Sequence, residues 1–186
     1  MASGCGLLLL SPLFLLLAIW IKLDSAGPVF YRQTRVGRYN RDFRLYKFRS
    51  MRTGSDRQGL ITVGGRDPRI TRSGYFIRKY KLDELPQLIN VFLGDMSLVG
   101  PRPEVRKYVD LYTPQQMHVL DVRPGITDMA SIRYRNENEL LARVPDPEKY
   151  YVEVIMPDKL RINLEYVARH SFWFDIGLIF KTFKEI

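Results

Sequence analysis

Two adjacent acids, Asp83 and Glu84, stand just ahead of Pro86 and an apolar run in Lys81-Leu82-Asp83-Glu84-Leu85-Pro86-Gln87-Leu88-Ile89-Asn90. Proline is tolerated in a helix only in the first turn, where no intrahelical N–H is lost. Pro86 therefore predicts a helix over residues 85–93, with Asp83 near its N-cap and Glu84 just inside. Aspartate is a favoured N-cap, and the macrodipole favours a carboxylate there. Alone, such a pair does no more than cap a core helix. Here Arg78 and Lys79 precede it, and Gly100-Pro101-Arg102-Pro103 and Arg123-Pro124-Gly125 follow as turns in which proline fixes φ beside an arginine. A guanidinium held this way suits bidentate phosphate binding, the alternative being a solvated arginine on a plain turn. Free N–H groups at a helix start can hold phosphate as well. A carboxylate can attack phosphorus to form an acyl phosphate. A neighbouring carboxylate can hold Mg²⁺, which binds through one or two carboxylates plus substrate phosphates. Adjacent helical residues project about 100° apart, so the two acids take different roles. The helix start and the arginines favour the charged form, so Asp83 is expected to be ionised at neutral pH.

The chain has no Gly-x-x-x-x-Gly-Lys loop and no Gly-x-Gly-x-x-Gly turn, so any nucleotide binding does not use those signatures. A glycosidase pair flanks its bond from opposite sides, which adjacent residues do not do. Two histidines and one cysteine make a structural zinc site untenable, and the lone Cys5 excludes an intramolecular disulfide and fits a reducing compartment.

The elements around the acids follow from composition. The 186 residues suit one domain with a real core, and 46% are apolar. Gly27 to Lys81 holds 15 Lys/Arg against 3 Asp/Glu, whereas Leu82 onward holds 13 against 16. The positive field thus belongs to one segment and suits phosphate-bearing partners or an anionic membrane surface. Gly6 to Ile21 is 16 residues without a charge, short of the roughly 20 that a simple crossing needs. Pro12 interrupts it after Ser11, whose hydroxyl can re-satisfy a freed backbone group. A segment that enters one leaflet and returns fits this pattern. A tilted crossing and a buried helix stay open. A cleaved signal would want positive charge before the apolar core.

Val29 to Arg35 and Phe43 to Met51 read as strands around Gly37-Arg38-Tyr39-Asn40. Their basic residues suit a solvated face or lipid headgroups. The interleaved Tyr31, Phe43, Tyr46 and Phe48 would also suit a nucleic-acid surface, but an apolar anchor in the same chain argues against nucleic acid. Gly54 to Gly65 reads as a mobile loop, and Ile126 to Arg135 as extended. Thr113-Pro114-Gln115-Gln116 forms a capping box. Asp146-Pro147 and Pro157 open further helices, the last ending near Arg169. The run from Phe172 places Phe172, Ile176, Ile179, Phe180 and Phe183 on one face, of either an interfacial or a core helix. The prediction is an α+β chain, with a membrane helix over residues 1–26 and a small globular domain of short strands and several helices over residues 27–186.

These motifs together resemble the bacterial sugar transferases, the monotopic phosphoglycosyl transferases. The matching stretches are the Leu-rich run with Ser11-Pro12, Pro28-Val29-Phe30, Tyr46-Lys47-Phe48-Arg49-Ser50-Met51, Leu82 to Leu88, Gly94 to Pro103, and Arg123-Pro124-Gly125-Ile126-Thr127. The resemblance implies attack by Asp83 on the β-phosphate of a UDP-sugar, release of UMP, and transfer of the phospho-sugar to polyprenyl (undecaprenyl) phosphate. It implies Mg²⁺ at Glu84 and phosphate contacts from Arg78 and Arg102, with Lys47, Arg49 and Arg123 as weaker candidates. It matches Asp175 to a family Asp of undefined role. It also implies a proline-broken re-entrant helix kinked at Ser11-Pro12, interfacial amphipathic helices, contact with membrane lipids, and a place on the cytoplasmic face of the bacterial inner membrane. A homodimer is left open. The competing classes are a membrane-tethered basic binding module and a membrane-bound Mg²⁺ phosphatase. The chain departs from many relatives at Lys81, where they carry Ser, and at Asp128-Met129-Ala130, where they carry Gly-Trp-Ala. It also lacks the basic residues usual before the apolar run. Without a large added domain it resembles the minimal form.

Overall fold

The computed structural model describes residues 2–59, 61–62 and 67–185. Helix α1, Ala2–Asp24, carries through Pro12 as one element. Pro12 has no N–H for the Leu8 carbonyl four residues back. Ser11 Oγ donates to that carbonyl at 2.8 Å instead, and the segment stays helical on both sides of Pro12. The helix is long and apolar enough to cross a membrane, and little of it is buried. Its buried residues are Ser3 near one end and Leu17 and Ile21 toward the other, the latter two packed against Phe48 and Ile77. At the other end, a Cβ placed on Gly4 would stand 3.4 Å from the Phe92 ring, and one on Gly6 3.6 Å from Leu88. Both ends of α1 therefore rest on the rest of the protein.

Strands β1, Phe30–Val36, and β2, Asp42–Phe48, form the expected antiparallel hairpin, with Phe30 opposite Phe48 and Val36 opposite Asp42. Tyr39 and Asn40 turn it at φ 57° and 59°. Phe48 is core, stacked on Phe30 and edge-on to Phe14 of α1, rather than an exposed stacking platform. Next come α2, Arg72–Lys79, and α3, Gln87–Leu93. Asp24 at the end of α1 accepts from Ser73 N and Oγ at 2.9 and 2.8 Å and so ties α1 to the first turn of α2. Between β2 and α2, the Arg69 guanidinium binds Asp67 and the carbonyls of Gly59 (2.7 Å) and Ile61 (2.8 Å). The described part of the expected loop is thus organised around an internal arginine. Its residues 60 and 63–65 lie outside the described residues.

Strand β3, Ser97–Val99, leads to helix α4, Arg106–Val109, and then to strand β4, Gly125–Thr127, which pairs parallel with β3. Thr113 N reaches Gln116 Oε1 at 2.9 Å and Gln116 N reaches Thr113 Oγ1 at 3.3 Å, the reciprocal bonds of a capping box. After β4 the chain is helical rather than extended: α5, Met129–Arg133, is capped by Asp128. Helices α6, Glu137–Leu141, α7, Pro147–Tyr150, and α8, Met156–Arg169, follow, and a single π turn joins the last two. Asp146 caps α7 as expected, accepting from Lys149 N at 3.0 Å. The main core gathers Tyr108, Val119, Leu141, Ile155 and Leu160.

Helix α9, Phe172–Glu185, packs Leu178 against Val99 and Tyr166. The inward face therefore runs through Phe174, Leu178 and Ile179. Phe172, Trp173 and Phe180 face outward. The expected face grouped Phe172 and Phe180 with Ile179; the structure separates them, because Leu178 is the residue that meets the β3 layer. The Phe183 side chain lies outside the described residues.

Candidate active site

The two acids lie on a 3-10 turn, Leu82–Glu84, between α2 and α3. Lys81 enters it at φ 55°, a left-handed conformation uncommon for a residue with a side chain. The turn closes through Glu84 N to the Lys81 carbonyl and Leu85 N to the Leu82 carbonyl, both at 3.2 Å. Helix α3 begins at Gln87 with Pro86 as its cap residue, and neither acid side chain makes a capping bond. The N–H groups of Glu84, Leu85, Leu88 and Ile89 bond to carbonyls three residues back. These four are spent inside the turn and are not free for an anion. The acids are accordingly a preformed turn ahead of the helix, because a tight turn satisfies its own N–H groups.

Two distant segments converge on Glu84. Arg102 grips both carboxylate oxygens, with Nη1 at 3.1 Å from Oε2 and Nη2 on Oε1. Lys47 Nζ stands 3.2 Å from Oε1. Arg102 reaches this point because the Gly100-to-Pro103 turn packs on the Arg123-Pro124-Gly125 turn. A Cβ on Gly100, at φ 156°, would meet the Arg123 carbonyl at 2.4 Å, and one on Gly125 would meet Gly100 N at 2.1 Å. The two turns expected separately are one assembly, and glycine is needed on both sides of the contact. Arg35 Nη1 also donates to the Pro103 carbonyl at 3.0 Å and to Glu104 at 3.1 Å, and Tyr151 Oη donates to Glu104 at 2.8 Å. Lys47 is fixed through its neighbour: Tyr46 N donates to Asn90 Oδ1 at 3.0 Å, and Asn90 Nδ2 donates to the Arg44 carbonyl at 2.8 Å. A wholly buried asparagine of α3 thus pins β2 beside the acids.

The electrostatics separate the two acids. Burial would raise the Glu84 carboxyl, but the charges of Arg102 and Lys47 hold it well below the usual carboxylate range. Burial raises Asp83, and the negative Glu84 beside it raises it further. Lys47, Arg78 and Lys81 offset this only in part. Helix start and arginines were expected to favour the charged form; desolvation, invisible in a linear sequence, outweighs them and shifts the carboxyl upward. Asp83 makes no hydrogen bond or ion pair among the described residues. Burial also lowers Lys47, with Glu84 opposing it, while the Glu84 charge raises Arg102. Two neighbouring carboxyls pushed in opposite directions are the pattern of a site with split roles.

The remaining candidates are placed unequally. Arg78, half-buried at the end of α2, acts on Asp83 through its charge. Arg123 is exposed and makes no ion pair among the described residues. Arg49 lies elsewhere. It is buried, and it donates to the Ile21, Ser25 and Ala26 carbonyls at 3.1, 2.7 and 2.5 Å, capping the C-terminus of α1. Asp128 accepts from Ser131 N and Oγ at 2.9 and 2.6 Å, so that departure from the relatives is used to cap α5. Asp175 accepts from Tyr166 Oη at 2.9 Å and ties α9 to α8. Sequence reasoning missed Asn90 and the Arg35–Glu104–Tyr151 brace. A polar residue inside an apolar helical run was the available signal for Asn90; Arg35 was hidden among many arginines.

Among the described residues no group of three or more His, Cys, Asp or Glu could cage a metal. Two adjacent carboxylates can still take Mg²⁺ if substrate phosphates complete its shell. The donor set fits on that condition.

The site is a carboxylate pair beside Arg102 and Lys47, on a domain joined to a long apolar helix. The comparisons with known proteins supply the family. The family of bacterial sugar transferases matches residues 1–186, and the chain belongs to it. The chain is 42% identical over 193 residues to a UDP-N-acetylgalactosamine-undecaprenyl-phosphate N-acetylgalactosaminephosphotransferase of Aeromonas hydrophila, covering 100% of this chain and 42% of that protein. It is 38% identical to a UDP-glucose:undecaprenyl-phosphate glucose-1-phosphate transferase of Escherichia coli (strain K12), covering 95% of this chain and 36% of that protein. It is 40% identical to the exopolysaccharide production protein PSS of Rhizobium leguminosarum bv. phaseoli, covering 97% and 88%. The chain therefore spans less than half the length of the first two relatives and most of the third.

Proposed function

We propose that this chain transfers a phospho-sugar from a UDP-sugar to a membrane polyprenyl phosphate. The observation that carries this reading is the contrast at the acid pair: Glu84 is clamped as an anion, and Asp83 beside it makes no hydrogen bond or ion pair among the described residues. Asp83, once ionised, attacks the β-phosphorus of the donor. A P–O bond forms to its carboxylate, and the bond to the bridging oxygen breaks, so that UMP leaves. A phosphate oxygen of the polyprenyl phosphate then attacks the same phosphorus and expels the Asp83 carboxylate. The products are the polyprenyl diphosphate sugar and the free enzyme. Arg102, Lys47 and Arg78 supply positive charge where phosphate charge must be held. Glu84 would hold Mg²⁺, whose chemistry is to neutralise the diphosphate and ease departure of UMP. The names of the relatives support the UDP-sugar donor and the undecaprenyl phosphate acceptor.

The membrane reading is that α1 dips into one leaflet of the bacterial inner membrane and returns, with residues 27–186 as the catalytic domain on the cytoplasmic face. Support comes from the contacts at both ends of α1. Gly4 and Ile21 would be about 25 Å apart along a straight helix, yet each lies against the folded protein. A helix crossing away from the domain would carry Gly4 out of reach of Phe92. The outward Phe172, Trp173 and Phe180 of α9 suit the headgroup layer.

The test is intact-protein mass spectrometry after incubation with Mg²⁺ and a panel of UDP-sugars without acceptor. A phospho-sugar adduct should form, be absent in Asp83→Asn, and be discharged by polyprenyl phosphate. Full turnover by a folded Asp83→Asn protein would overturn the covalent route. Discharge by water at the same rate with and without acceptor would indicate a phosphatase.

A further inference from the structure

In the free protein both oxygens of Glu84 are already occupied by cations. Arg102 binds each oxygen, and Lys47 shares Oε1. Arg78 and Lys81 add positive charge around Asp83. No third acid, histidine or cysteine among the described residues groups with the pair to hold a metal. A dication approaching alone would meet four basic side chains and two acids, with no vacant carboxylate oxygen on Glu84. The missing negative charge is what a diphosphate carries.

We infer that Glu84 accepts a divalent cation only together with the donor's diphosphate, so that the substrate form is the metal–diphosphate complex and not the two components in either order. This rests on the reading of the site as a diphosphate site. Arrival of the diphosphate gives Arg102 and Lys47 phosphate oxygens to bind. Their release from Glu84 frees its carboxylate for the cation, so Glu84, Arg102 and Lys47 each keep an oppositely charged partner in both states. Arg102 and Lys47 therefore serve twice, as counter-ions of Glu84 before binding and as phosphate ligands after it. Bidentate guanidinium geometry suits carboxylate and phosphate alike, which makes the exchange chemically even.

The experiment is a Mn²⁺ titration of the detergent-solubilised chain followed by electron paramagnetic resonance, alone and with UDP, a diphosphate without a transferable sugar. Protein alone should leave the free Mn²⁺ signal unchanged. Protein with UDP should remove it beyond what UDP removes by itself, and Glu84→Gln should weaken that ternary complex about tenfold or more. Lys47→Met, which vacates one side of Glu84, should raise Mn²⁺ uptake in the absence of UDP about tenfold or more. Arg102→Gln should act in the same direction, and it serves where circular dichroism shows Lys47→Met unfolded. Equal Mn²⁺ affinity with and without UDP would overturn the inference, as would folded variants that take up no more Mn²⁺ than the parent. The adduct experiment is read separately. An adduct with Mn²⁺ already bound to the free protein sinks only this inference, whereas absence of any adduct sinks the transferase reading itself.

Discussion

Arg49 and Arg102 were both candidates for phosphate from the sequence, and the structure gives them opposite tasks. Arg49 is 4% exposed and spends its guanidinium on three carbonyls at the end of α1. Gly27, at φ 127°, leaves the space it occupies: a Cβ there would stand 2.1 Å from Arg49 Nη1. The last carbonyls of a helix lack intrahelical donors, and a cation there also meets the negative end of the helix dipole. Arg102 is 32% exposed at its side chain and binds a carboxylate, a partner that a phosphate can replace. Burial of an arginine thus does not identify a phosphate ligand. What it holds, and whether solvent reaches it, does.

The comparison can be broken at either arginine. Arg49→Met is expected to cost about 3 kcal/mol of stability, since three charge-assisted bonds to carbonyls around the end of α1 are lost. Thermal unfolding in detergent measures this. A variant of unchanged stability that no longer formed the phospho-sugar adduct would move Arg49 into the site. Arg102→Lys keeps the charge and loses the fork, so it should slow adduct formation by about 100-fold while moving stability by less than about 1 kcal/mol. Unfolding on that conservative change would make Arg102 structural like Arg49.

The acids sharpen the contrast through pH. Asp83 must be ionised to attack, and its carboxyl is raised, so single-turnover adduct formation should fall about tenfold per pH unit below its titration. Stability should respond with opposite signs at the two residues. The raised Asp83 favours the folded state while protonated, and that contribution is lost as pH rises from the ordinary aspartate value through the raised one. The depressed Glu84 contributes above the ordinary glutamate value and loses it as pH falls toward its lowered one. Unfolding measured against pH for the parent, Asp83→Asn and Glu84→Gln separates the two; a flat difference curve for either variant would contradict its assignment. The smallest effect is at Ser11→Ala, which should cost about 1 kcal/mol by leaving the Leu8 carbonyl without its donor, again read by thermal unfolding.

The family, the acid pair, the hairpin, the Thr113 and Asp146 caps and the pairing of Ser11 with Pro12 were all legible in the linear chain. Each depends on residues a few positions apart, where backbone geometry is set by proline, glycine and short polar side chains. The chain alone determined which residues are chemically able to act. It did not determine which of its many arginines act, because that requires knowing what lies across the fold. Arg102 meets Glu84 only because two glycine turns pack at van der Waals contact, and Lys47 is aligned only because Asn90 reaches over from α3. The same holds for charge state: local sequence argued for an ionised Asp83, and only tertiary packing removed the water that would have kept its carboxyl ordinary. Short-range stereochemistry is written along the chain, whereas desolvation and partner choice arise where distant segments meet.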